Sequence, residues 1–461
     1  MAYLLFLLTN FVLFIRPSEI STLFQGVQLY LFLIIATIVC AARPLQNQLT
    51  RRVLVQQPVN LCVLGVLVGV ALSHLSLMYL FGLRTGVYSF SKTVAYYLLL
   101  VALVNTPLRL RWFLMCTAIS ASVMIAYSVR DYFDFVGHWD GNPMLYQAMI
   151  HDGDLPQGEE KLLRHVVELN MNDTTDANFH VYVYRMRGLG IFNDPNDVAI
   201  LIVVVSLISV YFLTDKSMGP IRKIWIVPLC LLVVGMYCTQ SRGGILATAV
   251  AGTVWLATRY GGRVAMALGG MIAAMIPVAL GRAGDIALSS GTGQSRIQLW
   301  GDGLAELVSP RVFFGIGEGM YAEYAGLVAH NSYVHAFVEM GLFGGTMFFG
   351  CLFFPAYAFW RMHRDKLYIQ DEELRRMRPY MAAILASWCM GLCSLSRCYV
   401  ESTYMIIGIS AAYVNLAGFY QWKPRPIVLF NRFIAERWLL CSACLFVGCF
   451  VFVRIFARYG G

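Results

Sequence analysis

The sequence predicts an all-α membrane protein that crosses the bilayer many times, and three observations carry that prediction. Hydrophobic residues make up 58% of the 461 residues and charged residues only 13%, whereas an average soluble domain carries about 25% charged residues. Apolar runs of the length that a spanning helix needs, roughly 20 residues, recur along the whole chain. These runs lack strand-like alternation, and a bilayer accepts only helices or closed barrels. We therefore expect about 12 or 13 transmembrane helices and two long loops outside the membrane.

The apolar runs divide the chain into alternating membrane and loop segments. Of the two long polar stretches, the first is acidic and mixed, and the second is rich in glycine. The predicted segments are N-terminal transmembrane helices in 1–129, a first outer loop in 130–195, central transmembrane helices in 196–280, a second outer loop in 281–331, and C-terminal transmembrane helices in 332–461.

The first outer loop carries two local patterns. Residues 158–171 have apolar side chains at helical spacing with charges between them, which predicts an amphipathic helix lying on the membrane. Residues 179–186 alternate in a way that is typical of a strand. The loop is a candidate for recognising an acceptor or for simply capping the bundle.

The distribution of basic residues predicts the orientation. Lys and Arg hold loops in the cytoplasm, and we interpret the net charge of +9 first in that way. With the N-terminus inside, each connection assigned to the cytoplasm carries at least two basic residues, and both long loops lie outside. The four short outer connections carry one each, namely Arg16, Arg84, Arg242 and Arg397. Nucleic acid is not an expected partner, because no basic stripe with interleaved aromatic residues occurs.

Cysteines and carboxylates give no indication of a metal or an organic cofactor. The 12 cysteines lie almost all within apolar runs, and no CxxC motif pairs with a second one. Neither a zinc site nor a disulfide framework is therefore expected. The second outer loop carries scattered carboxylates but no closely spaced pair of Asp residues.

Three residues on the predicted outer side combine charge with acid–base chemistry. Arg242 lies between two spans, Arg296 lies in the second outer loop, and His330 precedes the next span. Arginine binds phosphate through two parallel hydrogen bonds, and histidine can act as a general base near neutral pH. Together they suit a diphosphate leaving group and a hydroxyl nucleophile. The alternatives are arginines that reach lipid headgroups and a histidine that is only hydrogen-bonded; we interpret the nearby imidazole of His335 as packing.

Four further residues are candidate substrate contacts. Arg187 precedes the sixth predicted span and offers a third cation. Lys92 lies about one turn inside the fourth span near the outer face, where an ionisable residue is a functional candidate by default. Glu339 lies inside the tenth span and is expected to pair with an arginine or to accept from a buried donor. Asn196, in the sequence FNDPND at 192–197, is the fourth candidate substrate contact.

Short polar residues at two outer helix ends are predicted to be structural. Asn193, Asn196 and Asp197 are candidates to cap the sixth span, because Asn and Asp accept from free N–H groups at a helix start. For Asn196, capping is favoured over a sugar contact. Arg397 and Glu401 are four residues apart and are predicted to pair with each other.

Four motifs resemble those of the O-antigen ligase and polymerase superfamily of bacterial membrane glycosyltransferases. Their order and their placement on one predicted side of the membrane make the set more specific than any one of them. They are GLGIFNDPNDVA at 188–199, TQSRGG at 239–244, SRIQLW at 295–300 with GIGEG at 315–319, and HNSYVHAFVEMGLFG at 330–344. The first third and the last quarter of the chain match only in hydropathy.

The resemblance implies a GT-C-like helical fold and a reaction on the periplasmic side of the bacterial inner membrane. A glycan would move from undecaprenyl diphosphate to a sugar hydroxyl of lipid A-core or a similar acceptor, with inversion and without a metal or cofactor. Carried over by motif, Arg242 and Arg296 would hold the donor diphosphate, and His330 would activate the acceptor hydroxyl. The donor, the acceptor and membrane lipids are the implied partners.

Two alternative functions make different predictions about the sequence. An O-antigen or exopolysaccharide polymerase would use the same lipid-linked donor, but it would need a second cationic site for an acceptor that is itself linked to a diphosphate. A transporter would place ionisable residues at mid-membrane depth and show two related halves. The sequence instead keeps its charges near the outer rim and shows no such halves.

Overall fold

The structure is a computed structural model that describes residues 1–24, 26–138, 165–169, 181–262, 292–308 and 311–456. These residues are almost entirely helical, with one small two-stranded sheet. The predicted fold class, an all-α polytopic membrane protein, is confirmed.

Within the described residues, eight helices precede the sheet. They are α1 Ala2–Ile15, α2 Pro17–Ile20, α3 Leu29–Cys40, α4 Ala42–Gln48, α5 Arg51–Gln56, α6 Pro58–Leu75, α7 Leu80–Leu103 and α8 Pro107–His138. A 3₁₀ turn at Thr22–Phe24 follows α2. The helix α1 ends where Arg16 turns into the left-handed region at φ 46°, and Pro17 then starts α2.

The second half begins with the sheet and continues as helices. Strands β1 Val166–Leu169 and β2 Val181–Tyr184 pair antiparallel, with Val166 opposite Tyr184. The helices are α9 Pro195–Leu213, α10 Ile226–Thr239, α11 Arg242–Tyr260, α12 Thr292–Ala305, α13 Arg311–Phe314, α14 Tyr321–Ala325, α15 Ser332–Arg364, α16 Glu372–Gly391, α17 Glu401–Phe419 and α18 Arg432–Phe456, with 3₁₀ turns at Gly190–Phe192 and Lys216–Trp225.

Two features of this half differ from the prediction. Residues 166–169, inside the predicted amphipathic helix at 158–171, form a strand, since the valines at 166 and 167 favour a strand and pair with β2. The strand expected in 179–186 is present as β2. The helix α8 runs to His138 and so crosses the predicted boundary at 129.

Within the described residues, nine helices are long and apolar enough to cross a membrane, or ten if the bent pair α3 and α4 counts as one span. The predicted spans at 244–258 and 381–395 are also helical, as α11 and α16, but they are not among the nine. The predicted span at 264–280 lies outside the described residues, as do residues 281–291 of the predicted loop at 281–331.

Packing within the bundle brings distant parts of the chain together. The helix α6 packs on α15, α11 on α16, and α17 on α7. One end of the bundle carries an ionic network in which Arg111 bonds Asp215 at 2.6 Å and Glu373 at 2.5 Å, while Arg376 bonds Asp215 at 2.9 Å. All four residues belong to connections that the charge pattern assigns to the cytoplasm.

The long helix α15 is broken at Gly341, whose φ of 64° is left-handed. The break leaves the carbonyls of Val338 and Glu339 free to accept from Ile316 N (3.1 Å) and Gly317 N (3.1 Å). A Cβ at Gly341 would overlap the backbone of residues 313 and 314. The GIGEG motif is therefore held directly against the first half of α15, which begins two residues after His330.

Candidate functional site

The FNDPND motif starts α9 and fixes one wall of the site. Asp194 caps the helix, its Oδ1 accepting from Asn196 N at 2.7 Å, and Pro195 occupies the first helical position. The predicted caps were therefore wrong in detail. Asn193 is exposed, and the side chains of Asn196 and Asp197 are engaged elsewhere.

Asn196 links two other segments to this wall. Its Oδ1 accepts from Arg185 Nη2 at 2.9 Å and from Ser241 Oγ at 2.8 Å. Arg185 also donates from Nε to the carbonyl of Thr239 at 2.9 Å, at the end of α10. Ser241 in turn caps α11 by accepting from Gly244 N at 3.2 Å. The guanidinium of Arg185 is thus fixed in orientation by groups on two elements.

Asp197 holds a second arginine at the same end of the bundle. Its carboxylate, in the first turn of α9, pairs with Arg397, which lies in the turn between α16 and α17. The predicted pair of Arg397 with Glu401 is therefore wrong. Glu401 is the first residue of α17 and Arg397 lies before that helix, so the two do not share the helical face that the spacing assumed.

His330 occupies the turn directly before α15. It has a left-handed φ of 49°, and the next residue, Asn331, caps α15 by accepting from the amides of Tyr333 (3.0 Å) and Val334 (3.2 Å). The cap fixes where α15 starts and thereby the position of the imidazole. A left-handed conformation is uncommon for a residue with a side chain, and such residues concentrate at functional sites.

His330 lies among the charged groups of this wall. Burial lowers its pKa below the usual 6.5, and the neighbouring cations Arg296 and Arg397 and the imidazole of His335 lower it further, while Asp194 opposes them. The imidazole is therefore neutral at pH 7 and has a free lone pair. A neutral imidazole is the form that can accept a proton.

Arg296, on α12, completes the group. Burial lowers its pKa, and the carboxylate of Asp194 raises it. The pKa of Arg185 responds in the same way, lowered by burial, raised by Asp194 and lowered by Arg187 and Arg296. We call Arg185, Arg187, Arg296 and Arg397, with Asp194, Asp197 and His330, the cationic cluster. Four guanidinium groups against two carboxylates leave it positive, as an anion site requires.

Of the remaining sequence-predicted residues, Arg187 belongs to the cationic cluster, and Arg242 and Lys92 do not. Arg242 is the first residue of α11, next to Ser241, and its side chain is exposed. Arg187 is half-buried, and its Nε has no hydrogen-bond partner in the described part of the chain. Lys92 lies elsewhere, near the middle of α7, with its Nζ 4.2 Å from the ring centre of Tyr88.

Glu339 does not belong to the cluster. It is 0% exposed, pairs with His335 at 2.9 Å and accepts from Tyr321 N at 3.1 Å. Glu339 thus accepts from a buried donor, which was one of its two predicted roles. Its ion-pair partner is a histidine and not the predicted arginine. A role for Glu339 as a substrate contact stays a prediction. His335, predicted to be packing, is the other half of this buried pair.

Arg185 and Asp194 are the cluster residues that the sequence analysis did not identify. The signals were present. Arg185 and Arg187 alternate at the end of a strand-like run, so both point to one face. A proline at the first helical position marks the residue before it, Asp194, as the cap. Among the described residues, no group of three His, Cys, Asp or Glu side chains is arranged to hold a metal ion.

The fold and the cluster together define a multi-pass helical membrane protein with a group of cationic side chains at one end of its bundle. Residues 227–349 match the family model described as O-antigen ligase. This segment contains Arg242, Arg296 and His330, so the resemblance drawn from the motifs is confirmed over this range. A comparison with curated proteins gave no match. The family implies a membrane enzyme of the glycosyltransferase kind, of the O-antigen ligase or polymerase type, that works on lipid-linked glycans.

Proposed function

We propose that the protein transfers a glycan from undecaprenyl diphosphate to a sugar hydroxyl of lipid A-core or a similar acceptor, on the periplasmic face of the bacterial inner membrane. Arg296 and Arg242 hold the donor diphosphate, as the motifs imply, and Arg185 joins them. The observation that carries the proposal is the proximity of His330 to Arg296, close enough for the charge of one to lower the pKa of the other.

The proposed reaction is a single inverting displacement. The acceptor hydroxyl oxygen attacks the anomeric carbon and forms the new glycosidic bond, while the bond from that carbon to the diphosphate oxygen breaks. The hydroxyl proton passes to the neutral imidazole of His330. The electron pair of the broken bond leaves on the diphosphate, whose growing negative charge the arginines stabilise. We propose that the guanidinium groups fill this role without a metal.

The fixed orientation of Arg185 supports this arrangement. Because Nη2 and Nε are bonded to Asn196 and to Thr239, the guanidinium is oriented before a substrate arrives. Preorganised donors cost no reorganisation during the reaction, which is why they stabilise developing charge better than mobile ones. Asp194 and Asp197 offset part of the repulsion between the cations while no substrate is bound.

The experiment is a transfer assay with purified protein in lipid nanodiscs, undecaprenyl-diphosphate-linked glycan as donor and lipid A-core as acceptor. His330→Ala should reduce transfer by about 10²-fold or more, the usual contribution of a general base. His363→Ala is the matched control, since His363 is exposed in the last turn of α15 at the other end of that helix. Retained activity in His330→Ala would reject the assignment of the base.

A polymerase that joins carrier-linked repeat units is the alternative. Chain-length analysis of the glycan in a deletion strain separates the two. Loss of attachment, with polymer still on the carrier, supports the ligase. Single repeat units on the carrier identify a polymerase instead.

A further inference from the structure

A cavity with several polar lining residues lies beside the cationic cluster. It encloses about 520 Å³ between the end of α1, the start of α3, α7, the start of α17 and the 3₁₀ turn of the FNDPND motif. Its polar lining side chains include Arg16, Gln28, Tyr30, Lys92 and Glu401. Lys92, an unexplained ionisable residue in the sequence, thus has a defined location.

The lining combines groups for two kinds of ligand atom. Arg16 and Lys92 are cations, and both lie close enough to Glu401 to act electrostatically on its carboxylate. The hydroxyl of Tyr30 is buried and has no hydrogen-bond partner among the described residues. Paired cations suit a phosphate, whereas a carboxylate and a phenol suit sugar hydroxyls, which both donate and accept. A buried hydroxyl without a partner costs free energy unless a ligand satisfies it.

Two short segments lie between this cavity and the cationic cluster. Each of them contributes residues to the cavity and to the cluster. In the first, Ile191 lines the cavity and Asp194 faces the cluster. In the second, Glu401 lines the cavity, and Arg397 belongs to the cluster. The cavity and the cationic cluster around His330 therefore share these two segments.

An exposed apolar segment adjoins the cavity at Val27, which lines it. The segment that leads from α2 to α3 exposes Ile20 (39%), Leu23 (86%), Phe24 (41%) and Val27 (41%). Large exposed apolar side chains beside a cavity with polar lining residues suit contact with acyl chains. The segment is joined to the FNDPND motif, because Glu19 Oε2 accepts from Gly190 N at 3.0 Å. The occupant of the cavity should accordingly be the headgroup of a lipid.

We propose that this cavity binds the headgroup of the acceptor, a glycolipid that carries a phosphate and free sugar hydroxyls. Arg16 and Lys92 hold the phosphate, and Glu401 and Tyr30 hold the hydroxyls. The proposal rests on the proposed function, since it names the site from which the acceptor hydroxyl reaches His330. The phosphate is chemistry shared by lipid A and by a carrier-linked glycan, so the test includes both.

The experiment measures binding, without transfer, to purified full-length protein in nanodiscs. The probes are lipid A, lipid A with its phosphates removed, an undecaprenyl-diphosphate-linked disaccharide and inorganic phosphate. Lys92→Gln should weaken lipid A binding by about tenfold, as loss of one charge-assisted contact does, and leave dephosphorylated lipid A nearly unchanged. Glu401→Gln should weaken both forms of lipid A. Arg84→Gln is the matched control, a loss of charge on the same helix at an exposed residue that does not line the cavity.

Three results would overturn the proposal. One is a Lys92→Gln variant that loses the disaccharide probe and keeps lipid A, because the cavity would then belong to the donor. Another is an equal loss in Arg84→Gln, which would indicate a general effect of surface charge. The third is inorganic phosphate bound as tightly as lipid A. Disaccharide binding that is insensitive to Arg296→Gln would instead reject the proposed donor site, and the lipid A measurements would remain an independent test of the cavity.

Discussion

Arg397 and Asp197 form an ion pair that joins the turn before α17 to the first turn of α9. The carboxylate is only 7% exposed and the guanidinium 28% exposed, so water screens the pair poorly. Arg397 also lowers the pKa of His330. The pair therefore connects the packing of two helices with the electrostatics of the candidate base.

Arg397→Gln should destabilise the protein by about 2–3 kcal/mol, because it leaves Asp197 buried without its cation. This loss of stability is smaller than the loss expected for a fully buried ion pair, because Arg397 is partly exposed. Thermal unfolding in detergent micelles measures the change. The double variant Arg397→Gln with Asp197→Asn should regain part of the loss, since no charge then remains unpaired. Equal losses from the single and the double variant would show that the pairing itself contributes little.

The pair of Arg397 and Asp197 also shows which kind of contact could not be predicted from the sequence. Composition and run length were sufficient for the fold class, because the bilayer admits few architectures and a spanning helix has a fixed minimum length. The partner of Arg397 could not be predicted from composition or run length. Spacing favoured Glu401, but the rule of four residues applies only inside one helix, and the partner is on a distant segment.

The sequence predicted only part of the candidate site, because some of its contacts join distant segments of the chain. Arg296 and His330 were identified from residue chemistry and motif, and the structure brings them near each other. Arg185 was missed because what singles it out is a set of tertiary bonds to Asn196 and Thr239, which no local pattern encodes. For Glu339 the sequence predicted an arginine partner or a buried donor, and the structure shows the backbone amide of Tyr321 as the donor and His335 in place of the arginine.

The pH dependence of transfer should shift in opposite directions in two variants. His330 acts as a base only when neutral, so the rate falls on the acid side of its pKa, which lies below 6.5. Arg296→Gln removes a cation, raises the pKa and should move the acid limb of the residual rate to higher pH by about half a pH unit. Asp194→Asn removes an anion, lowers the pKa and should move the limb to lower pH. Arg397 and His335 remain in both variants.

The Asp194→Asn variant separates charge from helix capping, because asparagine also caps well. Thermal unfolding should therefore be nearly unchanged while the pH profile moves. Values of kcat/KM measured across pH 4.5–8 give the profile. This range surrounds the usual pKa of histidine, about 6.5. Shifts of the same sign in the two variants would contradict the assignment of the acid limb to His330.

Arg296→Lys should lower transfer at least about tenfold, although the positive charge is kept. A planar guanidinium binds two phosphate oxygens at once, and an ammonium group is a point charge that cannot do so. The loss should appear in kcat/KM for the donor lipid, because the arginine binds the diphosphate of the donor and also stabilises the charge that grows on it during the reaction. Arg242→Lys is the comparison, because Arg242 is exposed at the start of α11 and its looser surroundings should make the change milder. If lysine serves as well as arginine at 296, the contact with the diphosphate is not bidentate.

Gly341→Ala should destabilise the protein and reduce transfer without touching the cluster. The residue has a φ of 64°, and an added Cβ would overlap the backbone of Phe313 and Phe314. The break in α15 would have to move, and the bonds from Ile316 and Gly317 to its carbonyls would be lost. We expect a loss of about 2 kcal/mol or more, measured by thermal unfolding in detergent. Gly252→Ala in α11 is the control, since a Cβ there meets no atom within 4 Å and alanine favours a helix. A Gly341→Ala protein as stable and active as the Gly252→Ala protein would show that the break in α15 does not hold the GIGEG segment in place.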